Sequence, residues 1–145
     1  MLPVFPTPPS SKRSVNKAGK AIANGSSNEE DFELVDQWRS AHGYVLNTFQ
    51  IFLKRRINQT GIKAEFAQRL KRRHTVIDKL QRKRPDGTPL MGDVTSMHDF
   101  AGCRLIFPDI KSLQKFRAYL HSSDSMKTVR HQLRHDPVKY DYIEN

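Results

Sequence analysis

Apolar residues recur along this chain at two different periods, and each change of period marks a new element. After a stretch from Met1 to Ser11 that holds Pro3, Pro6, Pro8 and Pro9 and reads as an extended arm, Val15, Ala18 and Ile22 fall on one side of a short helix. Ser10 or Ser11 is placed to cap that helix, and Asn24-Gly25-Ser26-Ser27 ends it. A second helix starts at Ser27 and Asn28, with Glu29, Glu30 and Asp31 near the positive end of its dipole. Leu34, Val35, Trp38, Ala41, Val45, Phe49, Phe52 and Leu53 recur at three- and four-residue steps, which carries it to about Arg56. Trp38 is read as a core anchor, with base stacking as the alternative, and Gly43 is a weak point. Lys54-Arg55-Arg56 closes the helix as a solvated terminus at the negative dipole end.

Past a turn at Asn58 to Gly61 the period falls to two. Ile62, Ala64, Phe66, Gln68 and Leu70 alternate with Lys63, Glu65, Ala67, Arg69 and Lys71, which predicts a strand with Arg69 and Lys71 on the same face. Good helix formers in the same stretch keep a helix open there. Thr75 is the expected N-cap of a helix carrying Val76, Ile77 and Leu80 and ending in Arg82-Lys83-Arg84, with Lys79 one turn from Thr75. Pro85-Asp86-Gly87-Thr88-Pro89 is a loop, and Val94 to Asp99 a short helical turn. Gly102 to Phe107, with the single charge Arg104, reads as a buried strand. Pro108-Asp109 opens a helix with Ile110, Leu113, Phe116, Tyr119 and Leu120 on one face, followed by a loop from His121 to Ser125. Met126 to Leu133 stays undecided before Pro137, and the chain closes on a strand-like Tyr140-Asp141-Tyr142-Ile143-Glu144-Asn145, the ending expected of a truncated unit. This order of elements argues an α/β or α+β fold. It divides into residues 1–28, a proline-rich basic arm with a short helix, and residues 29–145, one domain's worth of chain.

Charge changes the picture most. The formal net charge of +10 equals the excess between Lys54 and Arg84 alone, where twelve Lys/Arg meet only Glu65 and Asp78. A local positive field of this kind attracts phosphate-bearing partners: a nucleotide polyphosphate, a nucleic acid or an anionic surface. The single cysteine, Cys103, excludes an intrachain disulfide and fits a reducing compartment. No apolar run approaches a membrane span, no signal peptide is evident, and the prolines argue against a transit peptide, so the cytoplasm is expected.

No glycine-rich phosphate loop is present, so phosphate contacts have to come from Arg and Lys side chains. A zinc site has no support from one Cys and no H-E-x-x-H. His98-Asp99 and His135-Asp136 are His-Asp pairs of a kind that metal phosphohydrolases use, without the further ligands such enzymes need.

Arg69-x-Lys71, Thr75 and Lys79 together resemble the synthetase domain of RelA/SpoT-type alarmone synthetases, whose motif is Arg-x-Lys, a Ser or Thr four residues on, and Lys four further. Asp99-Phe-Ala-Gly-Cys-Arg104 followed by Leu-Ile-Phe resembles the family's second signature, D-x-x-x-x-R before aliphatics. The Tyr140 to Asn145 ending is similar to the segment ahead of its guanine-binding loop, with Lys139 one place early, and the helix bearing Trp38-Arg39 looks like that of stand-alone members. The resemblance covers about residues 10 to 145. It implies a nucleotidyltransferase-like mixed sheet flanked by helices, incomplete at the C-terminus. It implies transfer of the β,γ-pyrophosphate of ATP to the 3′-hydroxyl of GDP or GTP with Mg²⁺. Arg69, Lys71, Thr75 and Lys79 would serve the ATP phosphates, Arg104 would sit beside the adenine or phosphates, and Asp99 would ligate Mg²⁺. The family's G-Y-x-x-x-H loop and later glutamate would follow Asn145, so these residues are expected to hold the ATP half of a site and to show no synthetase activity alone. An RNA- or DNA-binding protein using the same basic patch, and a relative that pyrophosphorylates tRNA, are the alternative readings, and self-association into a homo-oligomer stays open.

Overall fold

In the computed structural model, which describes residues 10–122, the first helix is bounded by local chemistry alone. Ser11 Oγ accepts from Ser14 N at 3.2 Å, and α1 runs from Lys12 to Asn24. It ends where Gly25 takes φ +74°, a left-handed conformation cheap only without a Cβ, and Ser26 N reaches back to Ala21 O at 3.0 Å. Helix α2, Glu29–Thr60, opens with a reciprocal pair: Asn28 Oδ1 accepts from Asp31 N, and Asp31 Oδ2 accepts from Asn28 N, each at 3.0 Å.

The second helix is a turn longer than its sequence predicts. Lys54-Arg55-Arg56 does not end it; Ile57 is buried beyond them, and the helix stops only at Thr60, ahead of Gly61 at φ +64°. Strand β1 spans Glu65–Leu70, inside the alternating stretch. Helix α3, Arg73–Gln81, starts two residues before Thr75; Arg72 in extended backbone is its N-cap and makes no side-chain cap bond, so Thr75 is not a cap. It also ends before Arg82-Lys83-Arg84. Helical backbone is disfavoured at Arg84, ahead of Pro85, and the basic triplet folds into a small hairpin, with Arg84 N donating to Thr88 O and Lys83 bridged to Pro89. Asp86 Oδ1 accepts from Thr88 N and Oγ1 and closes that turn.

A single 3₁₀ turn at Val94–Ser96 precedes strand β2, Ala101–Ile106. Lys71 N donates to Phe100 O at 2.7 Å, so the end of β1 meets the start of β2 and the two-stranded sheet is antiparallel. β2 is not buried on both faces as the apolar run predicts: its residues alternate between half-buried and exposed, the pattern of a sheet covered on one side. Asp109 Oδ1 caps α4, Ile110–Ser122, by accepting from Ser112 N at 2.7 Å.

The described chain is thus mixed α and β. It forms two compact units, one of residues up to 52 and 66–104, the other of 53–65 and 105 onward. The core of the first is built by Val15, Ala18 and Ile22 of α1, Val35 of α2, Val76 and Leu80 of α3, and Val94, Met97 and Phe100 around the 3₁₀ turn. Trp38 packs against this core, and His42 stacks on Phe100 at 5.0 Å between ring centroids. In the second unit Phe116 is the buried residue of α4, Phe107 lies beside it at 5.4 Å, and Tyr119 Oη donates to Gln59 Oε1 at 2.9 Å. The expected apolar face of α4 is only partly buried, because Ile110 and Leu113 are exposed. No helix among the described residues is long and apolar enough to cross a membrane. The proline arm up to Pro9 and the segments from Ser123 to Asn145, with Tyr140 and Tyr142, lie outside the described residues.

Candidate active site

Asp99 stands on the turn that enters β2, directly before Phe100. Phe100 is fixed in the core, so the carboxylate is carried on a backbone that has little freedom. Two lysines converge on it from different elements. Lys71, one residue past β1, places Nζ 2.7 Å from Asp99 Oδ2; Lys79, on α3, places Nζ 2.9 Å from Oδ1. Each carboxylate oxygen therefore accepts one charge-assisted hydrogen bond. Arg104 is not the carboxylate's partner, although the short D-x-x-x-x-R spacing invites that pairing.

The two lysines differ in setting. The Lys71 side chain is only 8% exposed and Lys79 is 27% exposed, while Asp99 is half in solvent at 50%. A buried ammonium is costly without a counter-charge, so Asp99 is what permits Lys71 to sit where it does. The backbone of Lys71 is held as well. Arg39 of α2 donates from Nη1 to Lys71 O at 3.2 Å, and its Nε is fixed by Asp36 Oδ1 at 2.6 Å. Arg39 is a positioning residue; the sequence names it only within Trp38-Arg39 and gives no sign of this role beyond its i,i+3 acid.

Beside this cluster is a concavity of about 360 Å³ lined by residues that include Gln68, Arg69, Asp99, Gly102, Cys103 and Arg104. Arg69 and Arg104 are exposed there, on β1 and β2 respectively. Thr75 is half-buried in the first turn of α3, one turn before Lys79. The structure thus brings Arg69, Lys71, Lys79, Asp99 and Arg104 into one neighbourhood across 36 residues of chain, with Thr75 on the helix that supplies Lys79. Among the described residues no group of three or more His, Cys, Asp or Glu is arranged to hold a metal ion, so His98-Asp99 has no phosphohydrolase-type partners there.

Burial raises the Asp99 carboxyl, but hydrogen bonds from Lys71 and Lys79 and the charges of both outweigh it and hold the group at about 2, below its ordinary 3.8. A carboxyl whose folded value is depressed adds stability above the unfolded value and loses it as the pH falls through the folded one. The contribution is therefore complete above about pH 4 and fades between 4 and 2. Asp99→Asn is expected to be less stable than the wild type at pH 6, with the gap closing as pH falls toward 2; urea unfolding across that range reads it. A gap independent of pH would contradict the ion pairing. Burial pushes the Cys103 thiol up.

Comparison with protein-family models and with curated proteins finds no match to this chain.

Proposed function

We propose that this chain carries the ATP side of a RelA/SpoT-like pyrophosphokinase site on a nucleotidyltransferase-like fold. The donor is ATP, the acceptor the 3′-hydroxyl of GDP or GTP, and the place of action the cytoplasm. The observation that supports this most is the convergence of Lys71 and Lys79 on Asp99 beside a concavity lined by Arg69 and Arg104. A basic face serving only solubility gives no reason to bury Lys71 or to gather residues from β1, α3 and β2 around one carboxylate.

The chemistry fits the residues. Pyrophosphoryl transfer asks little covalent work of a protein and much fixed positive charge around the transferring group. In this reading Arg69 and Arg104 contact phosphate oxygens across the concavity, Lys71 and Lys79 supply point charges from its edge, and Thr75 Oγ1 adds a neutral donor from α3. The described residues do not fit a metal held by protein ligands alone, since Asp99 is a single carboxylate. They fit Mg²⁺ brought in by the nucleotide, which needs one or two carboxylates besides phosphate oxygens. Asp99, ionised and half-exposed on the concavity wall, would hold it, and the ion would neutralise charge on the phosphates.

Calorimetric titration of ATP·Mg²⁺ tests the reading. Removing one charged hydrogen-bond donor costs about 1.5–3 kcal/mol, so Lys79→Ala or Arg69→Ala is expected to weaken binding roughly 10- to 100-fold. Unchanged affinity in both variants, with tight salt-sensitive RNA binding in the wild type, would replace this reading with the nucleic-acid one.

A further inference from the structure

Helix α2 and strand β2 flank a second concavity, of about 240 Å³, that the phosphate chemistry leaves unused. His42, Val45, Leu46 and Phe49 recur along α2 at three- and four-residue steps and form one wall of it. Ala101, Gly102 and Cys103 of β2 form the other, and the same three residues line the concavity beside Asp99. The two concavities therefore meet on one stretch of strand. From this continuity we infer that the α2–β2 concavity takes the adenine ring of the nucleotide whose phosphates lie beside Asp99. The inference rests on the function proposed above and gives the base a place and a means of recognition.

Three features carry it. The first is apolar surface left open. Val45 and Phe49 stand on the stripe that their spacing assigns to the core, yet they are 55% and 51% exposed, while Leu46 between them is buried. An aromatic ring and aliphatic carbons held open beside a cleft suit a flat heteroaromatic ligand. The wall is also firm, because a His42 ring nitrogen is held 2.8 Å from Trp38 O and the ring stacks on Phe100. The second feature is size. The volume falls below the roughly 300–1,000 Å³ of sites that enclose a whole drug-sized ligand, so it fits one part of a nucleotide.

The third feature is the strand edge. Phe100 O faces β1, where it accepts from Lys71 N. Alternation along β2 then turns the N–H and C=O of Ala101 and Cys103 to the opposite edge. Among the described residues no strand lies on that side. An edge residue presents one donor beside one acceptor. Adenine matches it with N7, an acceptor, next to the amino group N6–H₂, a donor. A purine with a carbonyl at C6 sets two acceptors there and leaves the backbone oxygen facing another oxygen.

The experiment titrates the full chain with ATP·Mg²⁺, inosine triphosphate·Mg²⁺ and tripolyphosphate·Mg²⁺, and repeats this with Phe49→Ala. The wild type is expected to bind ATP at least about tenfold more tightly than tripolyphosphate, the size of effect that stacking a base on an aromatic ring gives. Inosine triphosphate is expected to bind about tenfold more weakly than ATP, since a polar group is left unpaired. Phe49→Ala is expected to lose about tenfold in ATP affinity and nothing in tripolyphosphate affinity. Equal wild-type binding of ATP and tripolyphosphate, or of ATP and inosine triphosphate, overturns the inference without need of a variant. A Phe49→Ala that weakens ATP and tripolyphosphate alike overturns it as well, because Phe49 would then act through the fold. Wild-type self-association in sedimentation that Phe49→Ala abolishes, with ATP affinity unchanged, gives this face to a second copy of the chain and overturns it too. If Lys79→Ala weakens ATP and tripolyphosphate while Phe49→Ala weakens neither, the base site fails and the phosphate site survives. If the wild type binds none of the three probes, both fail.

Discussion

Phe100→Ala is expected to lower the stability of the first unit by about 3–5 kcal/mol, the range for removing a fully buried phenyl group. Phe100 is 1% exposed and belongs to the cluster that joins α1, α2, α3 and the 3₁₀ turn. One face of the ring stacks on His42, whose ring nitrogen lies 2.8 Å from Trp38 O and is held there. The backbone oxygen of Phe100 accepts from Lys71 N, and its neighbour Asp99 carries the candidate site. The same change is therefore expected to weaken nucleotide binding, without Phe100 touching a ligand. Trp38 is the chain's one tryptophan and lies edge-on to His42 at 5.6 Å, so its fluorescence follows the unfolding of this unit. Phe100→Leu, which keeps most of the volume, is expected to cost less than about 1.5 kcal/mol. A loss under about 1 kcal/mol in Phe100→Ala would show that the core is not organised around this ring.

Gly19→Ala is the second large effect, and helix propensity predicts its sign wrongly. Alanine in place of glycine inside a helix is favourable by roughly 1 kcal/mol. In α1, however, a Cβ on Gly19 would overlap the Cγ2 methyl of Val94, and Val94 is fully buried. Either α1 moves off the 3₁₀ turn or Val94 leaves its rotamer, and overpacking of this kind costs typically 1–3 kcal/mol. The turn is tied to α1 a second time, because Asn16 Nδ2 donates to Thr95 Oγ1 and Asn16 Oδ1 accepts from Thr95 N. The helix is therefore held against the clash. Gly19→Ala is expected to unfold at lower denaturant concentration than the wild type, and Gly19→Ala with Val94→Ala to recover part of the loss. A stabilised Gly19→Ala would contradict the close approach.

How much of this was readable from sequence depends on whether local or distant contacts decide a residue's place. α1 was largely readable: Ser10 or Ser11 as its cap, Gly25 in its ending and the Val15, Ala18, Ile22 spacing all act within one helix. The ends of α2 and α3 were not. Lys54-Arg55-Arg56 and Arg82-Lys83-Arg84 both look like basic helix termini, yet one lies inside a helix that runs on past the buried Ile57 and the other in a hairpin that contains Pro85. The α+β class follows from the change of period at Ile62. The face exposure of β2 does not, because it depends on what covers the sheet. At the candidate site, the Arg69, Lys71, Lys79 and Asp99 spacing singled out the residues that the fold gathers. It gave no sign that Lys71 is buried or that Asp99 serves both lysines, since those facts arise from contacts 28 and 20 residues apart. Phe100 was a variable position in the motif and is the residue that holds the motif in place.

On the proposed function, the lysines and arginines around Asp99 form a site for the phosphates of a nucleotide and not a general basic surface. The most direct test titrates the wild-type chain with ATP·Mg²⁺ and, separately, with a short single-stranded RNA over a salt series. A phosphate site gives saturable one-to-one binding of ATP·Mg²⁺ that survives at physiological ionic strength. RNA binding should be weak and should disappear as salt rises. Tight RNA binding with a steep salt slope, and no saturable binding of ATP·Mg²⁺, would contradict it.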